Sequence, residues 1–335
     1  MRKYAAAVAS VVALCALVGC SSPTAKVAPK PSPTTTASSS SDAAECWTAD
    51  HLISACGRLG DLTTLDPCGL ITVAALPADL KAAPTDRDSF DYCDFAITVG
   101  TDKDATLRIG ELDVADVADI SGGEEQLQPE GLDLAEGTLS NGECDDAVRF
   151  GGDEVAMDVD VFVSQGEGSQ ALCDAANEAG KAVGDVINST VKFQHFIVPK
   201  NSLLGVKACE MLNGSKIGSD TLDSEADPSS GHFCQWRTDG TTGQYYTLRM
   251  TLAAKADGAA ANGQTTIQGL STFIFKSDDS GSQCELDTYR APWAGSNLFE
   301  TASVSVQRPP DEVDTACALA TQMANLAWPQ LPPIS

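Results

Sequence analysis

In Tyr92-Cys93-Asp94-Phe95-Ala96-Ile97-Thr98-Val99, the stretch from Phe95 to Val99 alternates core-type and water-type residues and stops at Gly100. A period of two over this length marks a β-strand with one buried face. A variant of its head recurs as Phe233-Cys234-Gln235-Trp236, again with an aromatic before the cysteine and another two residues after that aromatic's neighbour Cys234. Fourteen residues beyond each of these cysteines stands Leu107-Arg108-Ile109 or Leu248-Arg249-Met250, and six residues before the preceding cysteine stands Leu62 or Leu203. The wider spacing agrees: Cys68, Cys93, Cys144 and Cys173 are separated by 25, 51 and 29 residues, and Cys209, Cys234, Cys284 and Cys317 by 25, 50 and 33. A period of about 140 residues is far longer than that of solenoid repeats, so each copy is read as a domain of its own.

Within one copy, Asp66-Pro67 opens a short helical stretch through Leu76, with Cys209-Glu210-Met211-Leu212 as its counterpart. Strands are predicted at 95–99, 106–113, 155–163 and 245–253, and Val304 with Val306 carries the same alternation. Turn residues at 101–104 and 238–240 join neighbouring strands as hairpins. After the fourth cysteine, Leu172, Ala176, Ala179, Val183 and Val186 recur at helical spacing, as do Leu319, Met323 and Leu326. The predicted fold class is α+β, with two homologous domains. Each is an antiparallel sheet flanked by N- and C-terminal helices and braced by two disulfides.

The N-terminus reads as an address. Arg2 and Lys3 precede an apolar run, Tyr4 to Val18, that is too short for a comfortable membrane span. It ends in Leu17-Val18-Gly19-Cys20, followed by Ser21-Ser22, in the order of a bacterial lipobox. The expected organisation is a lipoprotein signal peptide at 1–19 and lipidation of Cys20. A Ser/Thr/Pro-rich disordered linker at 20–45 then leads to a first repeat domain at 46–192 and a second at 193–335. Stable anchoring takes more than one acyl chain, each buried methylene contributing about 0.8 kcal/mol.

Of 12 cysteines, Cys15 lies in the signal and Cys20 carries the lipid, leaving an even ten in an exported chain. Four cysteines per copy allow three connectivities. The pairing favoured from the spacing is Cys68–Cys93 with Cys144–Cys173, and Cys209–Cys234 with Cys284–Cys317. Cys46 and Cys56 form a further expected pair. The close thiolate pairs of zinc sites are missing, as is a two-residue redox spacing.

The chain has 335 residues, 21 Lys+Arg against 47 Asp+Glu, and a formal charge of −26. Residues 46–192 hold 8 basic and 30 acidic residues and residues 193–335 hold 9 and 15, so the copies share a frame but not a surface. This balance argues against nucleic acid. Three histidines, His51, His195 and His232, lack metal-ligand spacing and read as surface or locally bonded groups. No Gly-x-Ser-x-Gly elbow or Gly-rich phosphate loop occurs. Paired carboxylates, including Glu124-Glu125, Asp145-Asp146 and Asp153-Glu154, are too numerous to single out a glycosidase pair. Asp102-Lys103-Asp104 and Asp278-Asp279-Ser280-Gly281 lack EF-hand order. Arg108 and Arg249, at equivalent strand positions, are the candidate anion contacts; the competing reading pairs each with a neighbouring acid.

The lipobox, the Ser/Thr/Pro tether, Asp66-Pro67-Cys68-Gly69-Leu70, the aromatic-flanked second cysteine and the cysteine-led last helix resemble the actinobacterial cell-envelope lipoproteins of domain-of-unknown-function family 3558. The resemblance covers about 62–190 and more weakly 203–330, where Lys207-Ala208-Cys209 replaces Asp-Pro-Cys. It implies an envelope location and carries no established activity. The expectation is a lipid-anchored extracytoplasmic binding or scaffold lipoprotein on the outer face of the cell membrane, not an enzyme, with no cofactor and no metal. Its partners are the membrane, through a diacylglyceryl anchor, and an unknown envelope protein, glycan, lipid or cation. The alternative is a carboxylate-based envelope hydrolase.

Overall fold

A computed structural model describes residues 53–334 except 86, 88, 101–102, 115–130, 151–154, 164–167, 191, 223–229, 238–243, 257–260, 279–280 and 294–295. The signal peptide, Cys20, the linker, Cys46, His51, Asp102, Glu124-Glu125, Asp153-Glu154, Asp279 and the 238–240 turn lie outside the described residues.

The first sheet follows α1 (Ile53–Leu59) and α2 (Pro67–Leu70). It contains β1 (Ala83–Pro84), β2 (Cys93–Val99), β3 (Lys103–Val114), β4 (Leu132–Ala135), β5 (Glu143–Phe150) and β6 (Val155–Phe162), and is followed by α3 (Gln170–Ser189). Its order is β1-β2-β3-β6-β5-β4, with every pairing antiparallel. The alternation read from the sequence decides the faces: Cys93, Phe95, Ile97 and Val99 are buried while Asp94, Ala96 and Thr98 are not. In β6, Val155, Met157, Val159 and Val161 point the same way, and α3 packs on that side of the sheet.

The second sheet follows α4 (Ala208–Leu212) and a small hairpin, β7 (Ser215–Ile217) and β8 (Asp220–Leu222). It contains β9 (Phe233–Arg237), β10 (Tyr245–Ala254), β11 (Gly263–Ile267), β12 (Leu270–Ser277), β13 (Ser282–Pro292) and β14 (Leu298–Arg308), and is followed by α5 (Val313–Ala327). Read from its β9 edge, the order is β9-β10-β14-β13-β12-β11, again antiparallel throughout. Five strands therefore have one arrangement in both sheets: β2-β3-β6-β5-β4 in the first and β9-β10-β14-β13-β12 in the second. The first sheet adds β1 at one edge, and the second adds β11 at the other.

Disulfides Cys68–Cys93, Cys144–Cys173, Cys209–Cys234 and Cys284–Cys317 sit at matching places. One of each pair ties a short helix to the first long strand, and the other ties the last helix to a central strand. Loops of 25 to 33 residues are each worth about 3–4 kcal/mol in the chain-entropy model. Cys56 is also disulfide-bonded.

Two helical readings need correction. The stretch expected from Asp66 to Leu76 is helical only over Pro67–Leu70, because Ile71 turns extended and Leu70, Ile71 and Leu76 all enter the core from an irregular path. Asp66 still caps the short helix, accepting from the Gly69 N–H at 3.1 Å. In α5 the buried stripe is Ala316, Ala320, Met323, Ala324 and Ala327, while Leu326 is 42% exposed. Small alanines let the helix lie close on the sheet, so it faces inward on its least bulky side. In α3 the expected face holds except at its end, where Ile187 is buried and Val186 is only half-buried.

Each sheet has its own apolar core, and one residue crosses between them. Phe90, which precedes β2, is 1% exposed and belongs to the second core. Its ring packs edge-on against Phe196 at 6.5 Å and Trp293 at 5.6 Å, and those two pack against each other at 5.7 Å. The linking chain crosses here too: Phe193 packs against the first core and Phe196 against the second. Phe90→Ala is expected to lower the free energy of unfolding by about 3–5 kcal/mol in urea denaturation. A loss below about 1 kcal/mol would show that the ring does not join the two cores.

Candidate functional site

Alternation puts polar side chains on the sheet face opposite α3. There Asp94, Arg108, Asp160 and Asp145 lie in one cross-strand row, as successive partners on β2, β3, β6 and β5. Arg108 donates to Asp94 through Nε at 2.9 Å and Nη2 at 3.0 Å, a bidentate bond. Its guanidinium lies 3.8 Å from the Tyr92 ring centroid and 5.2 Å from that of Phe162. Burial works against its charge, but the Asp94 bond and the surrounding anionic groups more than offset this and hold it more firmly protonated than usual.

Burial, reinforced by Asp158, Asp145, Glu143 and Glu111, pushes the Asp160 carboxyl up to about 9. Burial also raises Asp145, and burial with Asp145 raises Glu143. Asp145 and Asp146, adjacent in sequence, do not form a pair: neighbours on a strand face opposite ways. Asp146 is 2% exposed; its Oδ1 accepts from the Gly137 N–H at 2.9 Å, and its Oδ2 has no partner. Burial lifts that carboxyl to about 6.

Arg249 occupies the corresponding face of the second sheet. Its guanidinium lies 4.8 Å from the Phe233 centroid and 3.6 Å from Glu111 Oε1 of β3. Glu111 thus pairs with Arg249 while adding to the field at Arg108. Both candidate anion contacts therefore face carboxylates, so an incoming anion would have to displace Asp94 from one and Glu111 from the other. Farther along this face, Ser303 donates to Glu285 at 2.9 Å, and burial with Glu285 raises Asp287 to about 7. Asp287 is 8% exposed, and its Oδ1 is buried without a partner. An edge-on aromatic series, Phe273–Tyr289–Phe299, runs past it.

The most fully built polar contact joins the two sheets. His232 is 1% exposed. Its Nδ1 lies 2.5 Å from Asp91 Oδ1 and its Nε2 lies 2.9 Å from the Leu204 carbonyl. Both neighbours are acceptors, so both nitrogens are satisfied as donors only in the imidazolium form. Burial opposes that charge, but Asp91, the carbonyl and Asp61 outweigh it and raise the pKa. Gly110 holds the Asp91 segment close, at a break in the β3–β6 register. Its φ is +132°, and a Cβ there would stand 2.7 Å from the Asp91 carbonyl oxygen. Nearby, Arg87 bonds Asp66 at 2.6 Å and lies over Phe196, and Thr64 Oγ1 meets His195 Nδ1 at 3.2 Å. The sequence reading treats His232 as local, yet its carboxylate partner is 141 residues away. Nothing in its own neighbourhood of sequence signals that pairing.

Two adjoining depressions, of about 520 and 320 Å³, run between the 69–75 segment and the C-terminal part of α3. Asp185 is the only carboxylate among their described lining residues. Among the described residues no group of three His, Cys, Asp or Glu could hold a metal ion. Asp278, from one acidic loop, accepts from the Ser282 hydroxyl at 2.9 Å.

No family model matches the chain, and no curated protein matches it. Among solved structures, the crystal structure of the di-domain ARO/CYC StfQ from the steffimycin biosynthetic pathway aligns at 10% identity, covering 80% of this chain and 91% of that one. Its TM-score of 0.16 is too low to carry an argument.

Asp160 yields a prediction with a definite sign. Its folded pKa of about 9 stands above the ordinary 3.8, so the folded state binds more protons and stability falls as pH rises between these values. Asp160→Asn should raise Tm by about 3–8 °C at pH 9 and by less than about 1 °C near pH 4. Thermal melts across that range check it; a gap that widens toward acid would reverse the assignment.

Proposed function

We propose that this chain is a lipid-anchored, extracytoplasmic binding or scaffold lipoprotein of the cell envelope, built from two homologous domains and related to the actinobacterial family it resembles. The lipobox ending at Cys20 and the Ser/Thr/Pro-rich segment after it support the anchor and tether. The four described disulfides fit an oxidising compartment. The shared order of five strands and the matching cysteine bridges support the duplication. Among the described residues no helix is long and apolar enough to cross a membrane.

The observation that carries the binding role is the acid-rich face of the first sheet opposite α3. Asp94 and Glu111 act on Arg108, which Asp94 already holds in a bidentate bond, and Asp158, Asp145, Glu143 and Glu111 crowd Asp160. A cationic envelope partner would relieve that crowding, which makes a basic protein segment or a cation the favoured ligand class over a glycan or a lipid. A second reading, a carboxylate hydrolase, draws on the Asp287–Glu285 pair. It is weaker because a catalytic acid must touch substrate, and Asp287 Oδ1 is sealed from solvent.

Two measurements test the proposal. Cys20→Ser should move the protein from the membrane fraction to the soluble one; equal membrane recovery of variant and wild type would remove the anchor. Pull-down from envelope extract should capture a partner at low salt and lose it at high salt. Salt-independent capture would reject a charge-driven ligand.

A further inference from the structure

At the 141-residue offset of the two copies, Asp61 corresponds to Ser202, Leu62 to Leu203, Asp91 to His232 and Arg108 to Arg249. The correspondence holds in structural detail. Asp61 and Ser202 each cap a three-residue 3-10 helix, Leu62–Thr64 and Leu203–Gly205. Each accepts from the N–H two residues on, Thr63 at 3.1 Å and Leu204 at 3.1 Å. These two equivalent helices pack against each other. Asp91 and His232, also equivalent, bond to each other. The two equivalent arginines are linked through Glu111, which pairs with Arg249 and acts on Arg108.

Like elements therefore meet like elements. That is the signature of an isologous contact, in which residues close to a two-fold axis touch their own counterparts. A head-to-tail arrangement would instead set each element against a different one. We propose that the junction between the two halves is an isologous, pseudo-two-fold interface, of the kind that joins two copies of one unit, with Asp91 and His232 paired across its axis. The proposal rests on the duplication reading above.

The chemistry at the axis follows from the fusion. In a dimer of identical chains, a position on the axis faces itself, and two buried carboxylates or two buried imidazoliums would repel. Once both copies lie on one chain, the position is free to differ, and Asp opposite His becomes an attractive pair. The neighbouring position shows the same asymmetry. Phe90 packs beside His232, at 5.3 Å between ring centroids, and its counterpart is Gly231, where a Cβ would stand 3.6 Å from Lys207 Cγ. One copy supplies a ring at this position and the other a glycine.

The test is an exchange in the full chain. Asp91→His and His232→Asp, made singly, set like groups face to face. Each is expected to lower Tm by about 5–10 °C at pH 6. The double exchange restores one carboxylate and one imidazole across the axis and should recover at least half of the larger single loss. A double variant no more stable than the worse single one overturns the proposal, as do single variants without effect. A crystal structure of the wild-type protein gives a readout independent of variant folding: the rotation superposing 62–189 on 203–327 should be close to 180°. Good superposition through a very different rotation would sink the isologous interface and spare the duplication, whereas failure to superpose would remove both.

Discussion

In each sheet a core-facing strand cysteine is bonded to the first turns of the last helix: Cys144 to Cys173, and Cys284 to Cys317. That bond decides which face of the sheet the helix covers. Because strand side chains alternate, fixing one inward residue fixes every other residue on the strand. Val148, Phe150, Met157 and Val159 then belong to the core, and Asp145, Asp158 and Asp160 must lie on the opposite face. The charged surface is thus a consequence of the helix-side staple and not a separate construction.

Electrostatics on that face is governed by crowding. Adjacent strands stand about 4.8 Å apart, and two like charges at about 5 Å repel by about 3 kcal/mol at an effective dielectric near 20. Total stability of a domain is only about 5–15 kcal/mol, so several carboxylates on neighbouring strands cannot all ionise at no cost. The structure resolves this in two ways. Asp94 takes Arg108 in a bidentate bond, and Asp160, in the same row, is driven toward its neutral form. The surface ion pair of Arg249 with Glu111, at 3.6 Å and with 40% of the Arg side chain exposed, is worth only about 0–1 kcal/mol. Its role is to bridge the two charged faces, not to hold the sheets together.

The parts of the fold that depend on short-range periodicity were legible in the sequence. The strands expected from alternation at 95–99, 155–163 and 245–253 are present over 93–99, 155–162 and 245–254, and equal cysteine spacing favoured the pairing that is present. Reading failed where side-chain size or distance decides. In α5, hydrophobicity alone favours Leu326 over alanine, yet close packing on the sheet favours the alanines. In α2, a cap and a proline predict a helix start, but core demand from Ile71 and Leu76 ends it after one turn. His232 has no local signal because its partner lies in the other half of the chain.

The contacts at the junction differ in kind. Phe90, Phe196 and Trp293 contribute contact area, and area is tolerant of small shifts. The His232 ring is not tolerant: both of its nitrogens are engaged, one by a carboxylate from the first half and one by a carbonyl from the second. A sliding motion that preserved the aromatic contact would still leave a buried charge unpaired, which costs about 3–5 kcal/mol. The aromatic cluster therefore holds the halves together, while the ion pair sets their register. Because Glu111 of the first sheet and Arg249 of the second pair across the same junction, that register also fixes how the two charged faces are set against each other.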